Sequence, residues 1–213
     1  LSLSIYLGTF FTAASILYLE IFCTRLLAFI IGPNYLFYTI ALAMLGLSAA
    51  AVYVALTKKI SESKMCSANG VLCILTAISI LALFFATTSI KNQINIAEIE
   101  SSHSQGLSGL VNYLLNSNLN NSLQVGLIMA IPYLLIGAAL SLIFKSIPTR
   151  SVPRIYFIDL LGACLGCILA IFLLEKFDYK TPLLASIILP LLAAISFFYS
   201  SNKKLFYSSI ALT

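Results

Sequence analysis

Six long apolar runs occupy most of this 213-residue chain, and they constrain the fold more than any other feature. Hydrophobic residues make up 61% of the sequence and charged residues 9%, with a mean hydropathy of +1.04. A water-soluble domain must cover its core with a polar shell, and this composition cannot supply one. The sequence therefore predicts an all-α, polytopic membrane protein whose main partner is the lipid bilayer.

The apolar runs have the lengths that membrane crossing requires. A helix needs about 20 mostly apolar residues to cross about 30 Å of hydrocarbon. This rule predicts a single transmembrane domain over residues 1–213, with six spans at 5–31, 35–57, 70–90, 124–144, 155–174 and 181–200. The turn signal Gly32-Pro33-Asn34 makes the first two helices a hairpin. Because the chain starts at Leu1 and stops at Thr213 inside another apolar stretch, we expect it to be part of a longer polypeptide.

Basic residues alternate between the two ends of the predicted spans. If every span crosses, eight Lys and Arg fall on one side and four on the other. The eight are Lys58, Lys59, Lys64, Lys145, Arg150, Arg154, Lys203 and Lys204. Cytoplasmic loops carry the excess of Lys and Arg, so we expect a bacterial inner-membrane protein with both termini in the cytoplasm. The net charge of +5 is then a topological signal. Nucleic acid is not an expected partner, because binding it needs a clustered basic face.

The only sizeable polar connection covers residues 91–123, on the predicted non-cytoplasmic side. It contains His103, the only histidine of the chain. Within it, leucine and valine recur at helical spacing and no charge interrupts them. This pattern predicts an amphipathic helix at about 105–116, which lies flat on the membrane or covers the mouth of the bundle.

Three ionisable residues lie inside the apolar runs: Glu20 and Arg25 in the first, and Asp159 in the fifth. Such residues are costly at membrane depth and need partners. We expect them to neutralise one another between the first and fifth helices. The tyrosines that could donate hydrogen bonds to the carboxylates are Tyr18, Tyr38 and Tyr156. Two interpretations stay open, namely an ion pair that stabilises the bundle and a site for a substrate or a proton. Asp159 favours the structural one, because a carboxylate near a helix N-terminus is stabilised by the backbone dipole.

Small residues recur four positions apart in two of the spans. Gly162 and Gly166 form such a pair in the fifth span, and Gly46 and Ala50 form one in the second. This spacing is typical of helix faces that pack closely in membranes. Aligning 45–49 with 161–165 predicts that spans one to three and four to six are two related triplets. An odd number of spans per repeat forces opposite orientations, as in many transporters.

Five cysteines are present, and Cys164 and Cys167 have the spacing of a redox motif. A quinone-linked thiol oxidase or a metal site would be the functional interpretation. Both cysteines lie near the middle of a predicted span, however, and the 91–123 connection has no cysteine to relay electrons to external thiols. Packing of small residues is the better interpretation. With one histidine and no convergent ligands, we expect no metal and no cofactor.

Two sequence blocks carry a family resemblance. The first is Leu19-Glu20-Ile21-Phe22-Cys23-Thr24-Arg25-Leu26-Leu27-Ala28, followed by Gly32 and by Ala41-Leu42-Ala43-Met44-Leu45-Gly46-Leu47-Ser48-Ala49. The second is Arg154-Ile155-Tyr156-Phe157-Ile158-Asp159-Leu160-Leu161-Gly162-Ala163, followed by Gly166. In order and spacing these blocks resemble the membrane module of membrane-bound spermidine-synthase-like proteins, over nearly the whole chain.

The resemblance implies a cytoplasmic aminopropyltransferase-like partner domain with a Rossmann-type fold. These residues contain no glycine-rich loop with acidic partners, so no catalytic residue is carried over and we leave open whether the protein is an enzyme. Our leading interpretation is a module that anchors or supplies such a domain and binds a small amine, with Glu20 and Asp159 as counter-charges. The alternatives are one half of a small-molecule transporter and a structural subunit packed against other membrane subunits.

Overall fold

The computed structural model describes residues 2–30, 36–57, 61–93, 119–178 and 180–210. This part of the chain forms six long α-helices and one short 3-10 helix, with no strand. The long helices are α1 (Leu3–Ile30), α2 (Leu36–Leu56), α3 (Glu62–Gln93), α4 (Leu119–Ser146), α5 (Val152–Lys176) and α6 (Lys180–Ile210). The 3-10 helix, Thr149–Ser151, connects α4 to α5.

Five of these helices are long and apolar enough to cross a bilayer. Their candidate spans are Leu3–Leu26, Lys64–Phe85, Ile128–Ser146, Thr149–Lys176 and Lys180–Ser200. The apolar stretch described in α2, Ile40–Leu56, is shorter. The prediction of an all-α protein with several membrane-spanning helices is confirmed to this extent.

Several helices extend beyond the predicted spans. Helix α3 begins at Glu62 rather than at residue 70, and α6 runs on to Ile210 rather than ending at 200. Hydropathy marks only the part of a helix that lies in hydrocarbon, whereas the backbone hydrogen bonds continue into the interface. The turn expected at 32–34 and the amphipathic helix expected at 105–116 lie outside the described residues.

Neighbouring helices in sequence run in opposite directions. One buried cluster joins the first halves of α1, α3 and α5 to the second halves of α4 and α6. A second cluster joins the later parts of α1, α3 and α5 to the first halves of α2, α4 and α6. The odd-numbered helices are therefore parallel to one another, and the even-numbered helices run against them.

The helices form a four-helix core with two peripheral helices. Helix α6 packs between α1 and α3, and α3 in turn packs against α4, while α1 and α4 touch over a shorter length. Helix α5 packs along the outer side of α1, and α2 packs along the outer side of α4. Each peripheral helix packs mainly against one partner, so a large share of its apolar surface faces outward, toward lipid.

The predicted small-residue faces form these two peripheral interfaces. A Cβ at Gly162 would collide with the carbonyl oxygen of Phe10, and one at Gly166 would collide with that of Ala14. Across the bundle, a Cβ at Gly46 would come within 2.8 Å of the Tyr133 Cβ. Close backbone approach, which only small residues allow, thus holds α5 on α1 and α2 on α4. Gly166 and Ala50 are both buried, as their predicted packing role requires.

We call the end of the bundle that carries Lys64, Lys145, Arg150 and Arg154 the basic end. The opposite end carries Arg25, Lys176 and Lys180. This distribution of basic residues follows from the antiparallel arrangement. The C-termini of the even-numbered helices and the N-termini of the odd-numbered helices lie at the same end of the bundle.

Lys145 also has a structural role that its charge alone did not indicate. Its ammonium donates hydrogen bonds to the carbonyls of Val54 (2.5 Å) and Ala55 (3.1 Å) and to the carbonyl of Thr57. The last carbonyls of a helix have no partner within the helix and carry partial negative charge. Lys145 therefore caps the C-terminus of α2 from the neighbouring helix.

The Lys145→Met variant tests this cap. Loss of the ammonium leaves several carbonyls at the end of α2 without a donor, so we expect the free energy of unfolding in detergent to fall by about 2 kcal/mol. Lys64→Met is the matched control, because Lys64 is exposed at the same end. Equal stability of the two variants in denaturant titrations would contradict the assignment.

Candidate functional site

Glu20 lies in the second half of α1, where α1 faces α4 and α5. Its side chain is half-buried and within electrostatic range of Tyr133 on α4 and Cys167 on α5. It has no ion-pair or hydrogen-bond partner among the described residues. An unpaired carboxylate inside a membrane span is unfavourable unless a cation or a hydrogen-bond donor reaches it. Glu20 therefore remains the strongest candidate for binding a positively charged group.

Tyr133 gives this region a second polar group. The side chain is completely buried, and its hydroxyl lies beside the thiol of Cys23 and within electrostatic range of Glu20. No group in the described part of the chain forms a hydrogen bond of acceptable geometry with this hydroxyl. Glu20, Cys23 and Tyr133 together make a polar site, the Glu20 site, at the junction of α1 and α4.

Tyr18 differs from Tyr133, although both tyrosines are completely buried. Its hydroxyl donates a hydrogen bond to the carbonyl oxygen of Pro182 at 2.9 Å, which ties α1 to the start of α6. Its ring also stacks on Phe22 with the centroids 6.5 Å apart. Tyr18 is thus a structural residue with a satisfied hydroxyl, and it does not act as a donor to Glu20.

The expected neutralisation among Glu20, Arg25 and Asp159 is not formed within the described residues. Arg25 is exposed beyond Glu20 and has no ion-pair partner there. Helix α5 is parallel to α1, and Gly162 meets Phe10 while Gly166 meets Ala14. In this register Glu20 is level with Phe172, thirteen residues beyond Asp159, which places the two carboxylates about 20 Å apart along the helices.

Asp159 and Tyr156 accordingly lie toward the basic end rather than at the Glu20 site. Asp159 is half-buried, and Tyr156 is 55% exposed on the outer side of α5. The side chain of Tyr38 is outside the described set. A groove of about 540 Å³ opens nearby, with Tyr6, Pro153, Arg154, Phe157 and Ile158 in its wall. Its lining is apolar apart from Tyr6 and the Arg154 guanidinium, and it contains no residue of the Glu20 site.

The two cysteines with redox-motif spacing both lie on α5. Cys164 is exposed on the outer side of α5, Cys167 is half-buried, and both are free thiols. Among the described residues no group of three or more His, Cys, Asp or Glu side chains could hold a metal ion.

Tyr133 and Asn69 are buried polar residues that the sequence did not single out. Each is completely buried and has side-chain polar atoms that no described residue satisfies. Tyrosine and asparagine within a span are common enough that composition alone gives no signal. What distinguishes these two residues from residues at the lipid surface is the direction in which each helix face points. Hydropathy gives no information on that direction.

The helices and their packing define an all-α polytopic membrane protein. No protein-family model, curated protein or solved structure matches the chain. The resemblance to spermidine-synthase-like membrane modules therefore depends on the two sequence blocks described above.

Substituting Tyr18 and Tyr133 in turn tests whether each hydroxyl contributes to the stability of the fold. Tyr18→Phe removes the hydrogen bond to Pro182, so we expect it to lower the free energy of unfolding by about 1 kcal/mol. Tyr133→Phe removes a hydroxyl that has no hydrogen-bond partner among the described residues, so we expect the free energy of unfolding to be unchanged or slightly raised. Denaturant titration of the two variants side by side measures both. A larger loss in Tyr133→Phe than in Tyr18→Phe would show that a stabilising partner of Tyr133 exists in the empty protein.

Proposed function

We propose that this chain is the six-span membrane module of a spermidine-synthase-like protein, with the basic end in the bacterial cytoplasm. It anchors or supplies a cytoplasmic catalytic domain and binds a small amine at the Glu20 site. The observation that carries the amine assignment is the half-buried Glu20 carboxylate, which has no counter-charge among the described residues. An ammonium group with apolar surroundings would supply that charge.

The chemistry around Glu20 supports an amine over other ligands. The Tyr133 hydroxyl lies within electrostatic range of Glu20 and can accept a hydrogen bond from an N–H group through its lone pairs. Tyr133 belongs to a mostly apolar buried cluster, and a charge pair beside such a cluster is strengthened by the low dielectric. A neutral or anionic ligand would leave the carboxylate uncompensated.

Six crossings and inverted repeats are part of the proposal. Exchanging α1, α2 and α3 for α4, α5 and α6 converts the α1–α5 interface into the α4–α2 interface. The same exchange converts the α1–α6 interface into the α4–α3 interface and leaves the α3–α6 interface as it is. Packing related in this way supports two triplets of opposite orientation, with α2 as a full span.

Individual residues at corresponding positions of the two triplets also make corresponding contacts. Gly46 of α2 contacts the carbonyl of Ala130 on α4, as Gly162 of α5 contacts that of Phe10 on α1. Lys145 lies fifteen residues after Ala130, and Arg25 lies fifteen residues after Phe10. Each triplet therefore has a cation at the corresponding end of its first helix.

Transport by one half of a carrier is the second candidate. The inverted packing favours it, because many secondary transporters bind substrate between such repeats. A structural subunit without a ligand is less well supported, since the buried members of both small-residue faces are covered by α1 and α4 within the chain itself. They are not left free for a partner subunit.

Thermal unfolding with and without spermidine tests the amine site. We expect a saturating concentration to raise the unfolding temperature of the wild type, because a ligand at 100 times its Kd stabilises by about 2.7 kcal/mol. Glu20→Gln removes the charge and keeps the shape, so the shift should disappear while the helices stay inserted.

Glu175→Gln is the matched control, since Glu175 is an exposed carboxylate on α5 toward the same end. It should keep the full shift. An equal shift in the wild type and in Glu20→Gln would contradict the assignment. Loss of the shift in Asp159→Asn with retention in Glu20→Gln would move the site to α5.

A further inference from the structure

A second set of buried polar side chains lies on the axis of the four-helix core, away from Glu20. These residues, the axial polar row, are Thr9, Thr12, Asn69, Cys73 and Thr76. All five are completely buried, and they come from α1 and α3, which face each other diagonally across the core. Cys73 packs in a buried cluster with apolar side chains from α4, α5 and α6.

Contacts and helical spacing place the five residues together. The Thr12 hydroxyl lies 4.0 Å from the Cys73 sulfur, which joins α1 to α3 at this level. Asn69 precedes Cys73 by four residues and Thr76 follows it by three, so the three share one face of α3. Thr9 lies three residues before Thr12 on the corresponding face of α1.

The hydrogen bonds within the row leave an excess of acceptors. Thr9 donates to the carbonyl of Ile5, Thr12 to that of Gly8 and Thr76 to that of Leu72, each at 2.8 Å. A hydroxyl that has given its proton to its own helix retains lone pairs, so it faces the axis as an acceptor.

Asn69 completes the row with a carboxamide that no described residue satisfies. Neither its oxygen nor its nitrogen has a hydrogen-bond partner in the described part of the chain. A buried amide in this condition is more unfavourable than a leucine of similar size. An unsatisfied buried amide lowers the stability of the fold unless a molecule outside the chain forms hydrogen bonds with it.

Polar groups continue from the row toward the basic end. The hydroxyls of Ser2 and Ser200 are 2.7 Å apart at the start of α1, and Ser2 is exposed whereas Ser200 is buried. Ser4 is buried between this pair and Thr9 along α1. Hydroxyl groups therefore follow one another along α1 from the exposed Ser2 to the row.

We infer that the axial polar row binds a small solute that donates hydrogen bonds, either water or an amine, and that the solute enters from the basic end past Ser2 and Ser200. The Asn69 oxygen and the threonine oxygens accept from the solute, and the Asn69 amide donates to it. The row is separate from the Glu20 site, because Thr12 lies eight residues before Glu20 on α1, about 12 Å along the axis. This inference goes beyond the proposed function and does not depend on it.

The thiol of Cys73 reports on the row directly. In a variant that keeps Cys73 and replaces the other four cysteines by alanine, we expect 2-aminoethyl methanethiosulfonate to label the native protein in vesicles. Asn69→Leu should slow this labelling at least tenfold, since it removes the polar group at the approach to Cys73. Labelling of Cys73 only after unfolding, or an unchanged rate in Asn69→Leu, would overturn the inference.

Three controls keep the result interpretable. A variant that keeps only Cys164, on the outer side of α5, measures the reaction of a thiol facing lipid, and Asn69→Leu should leave its rate unchanged. Glu20→Gln should not alter the labelling of Cys73, so failure of the amine site and failure of the axial site are distinguishable. If Asn69→Leu does not fold, Thr12→Val keeps the shape of the row and carries the same expectation.

Spermidine distinguishes the two solutes. Protection of Cys73 by spermidine in the Glu20→Gln background supports an amine in the row, because the Glu20 site is then disabled. If Cys73 is labelled at the same rate with and without spermidine, and Asn69→Leu still slows the labelling, the result supports water in the row.

Discussion

Helix α5 lies so close to α1 that no side chain fits at Gly162 or Gly166. In lipid, two helices gain little from burying apolar surface, so association depends on close packing and on polar contacts. The carbonyls of Phe10 and Ala14 occupy the space that a Cβ would need, and they fix the register of α5 on α1. This register places Asp159 near the basic end and Glu20 near the opposite end. The separation of the two intramembrane carboxylates follows from these backbone contacts.

Much of the architecture could be predicted from the sequence, because the bilayer acts on each helix separately. Long apolar runs and small residues four positions apart are local patterns, and both correspond to observed helices and interfaces. The surroundings of Glu20 and Tyr133 and the partners of Lys145 could not be predicted, since they depend on how each helix is rotated and how far it slides along its neighbour. Arg25 and Glu20 share a helix, yet a spacing of five residues leaves them on different faces, and Arg25 is exposed.

Buried polar groups in this protein divide into two kinds. Tyr18, Lys145 and the threonines satisfy backbone carbonyls and so stabilise helices or join them. Tyr133, Asn69 and Ser146 have buried side-chain atoms that no described residue satisfies. The first kind explains how polar residues are tolerated in a membrane. The second kind marks places in the described part of the chain where a molecule from outside would find hydrogen-bonding groups already in position.

The arrangement of the bundle in the membrane underlies both proposed sites, and cysteine labelling from one side tests it most directly. Lys64→Cys and Lys176→Cys are introduced separately into a cysteine-free chain, and intact cells are treated with a membrane-impermeant maleimide. The account predicts labelling of the residue-176 thiol from outside, and of the residue-64 thiol only after the cells are permeabilised. Labelling of both from the same side would contradict the alternating helices and the cytoplasmic placement of the basic end.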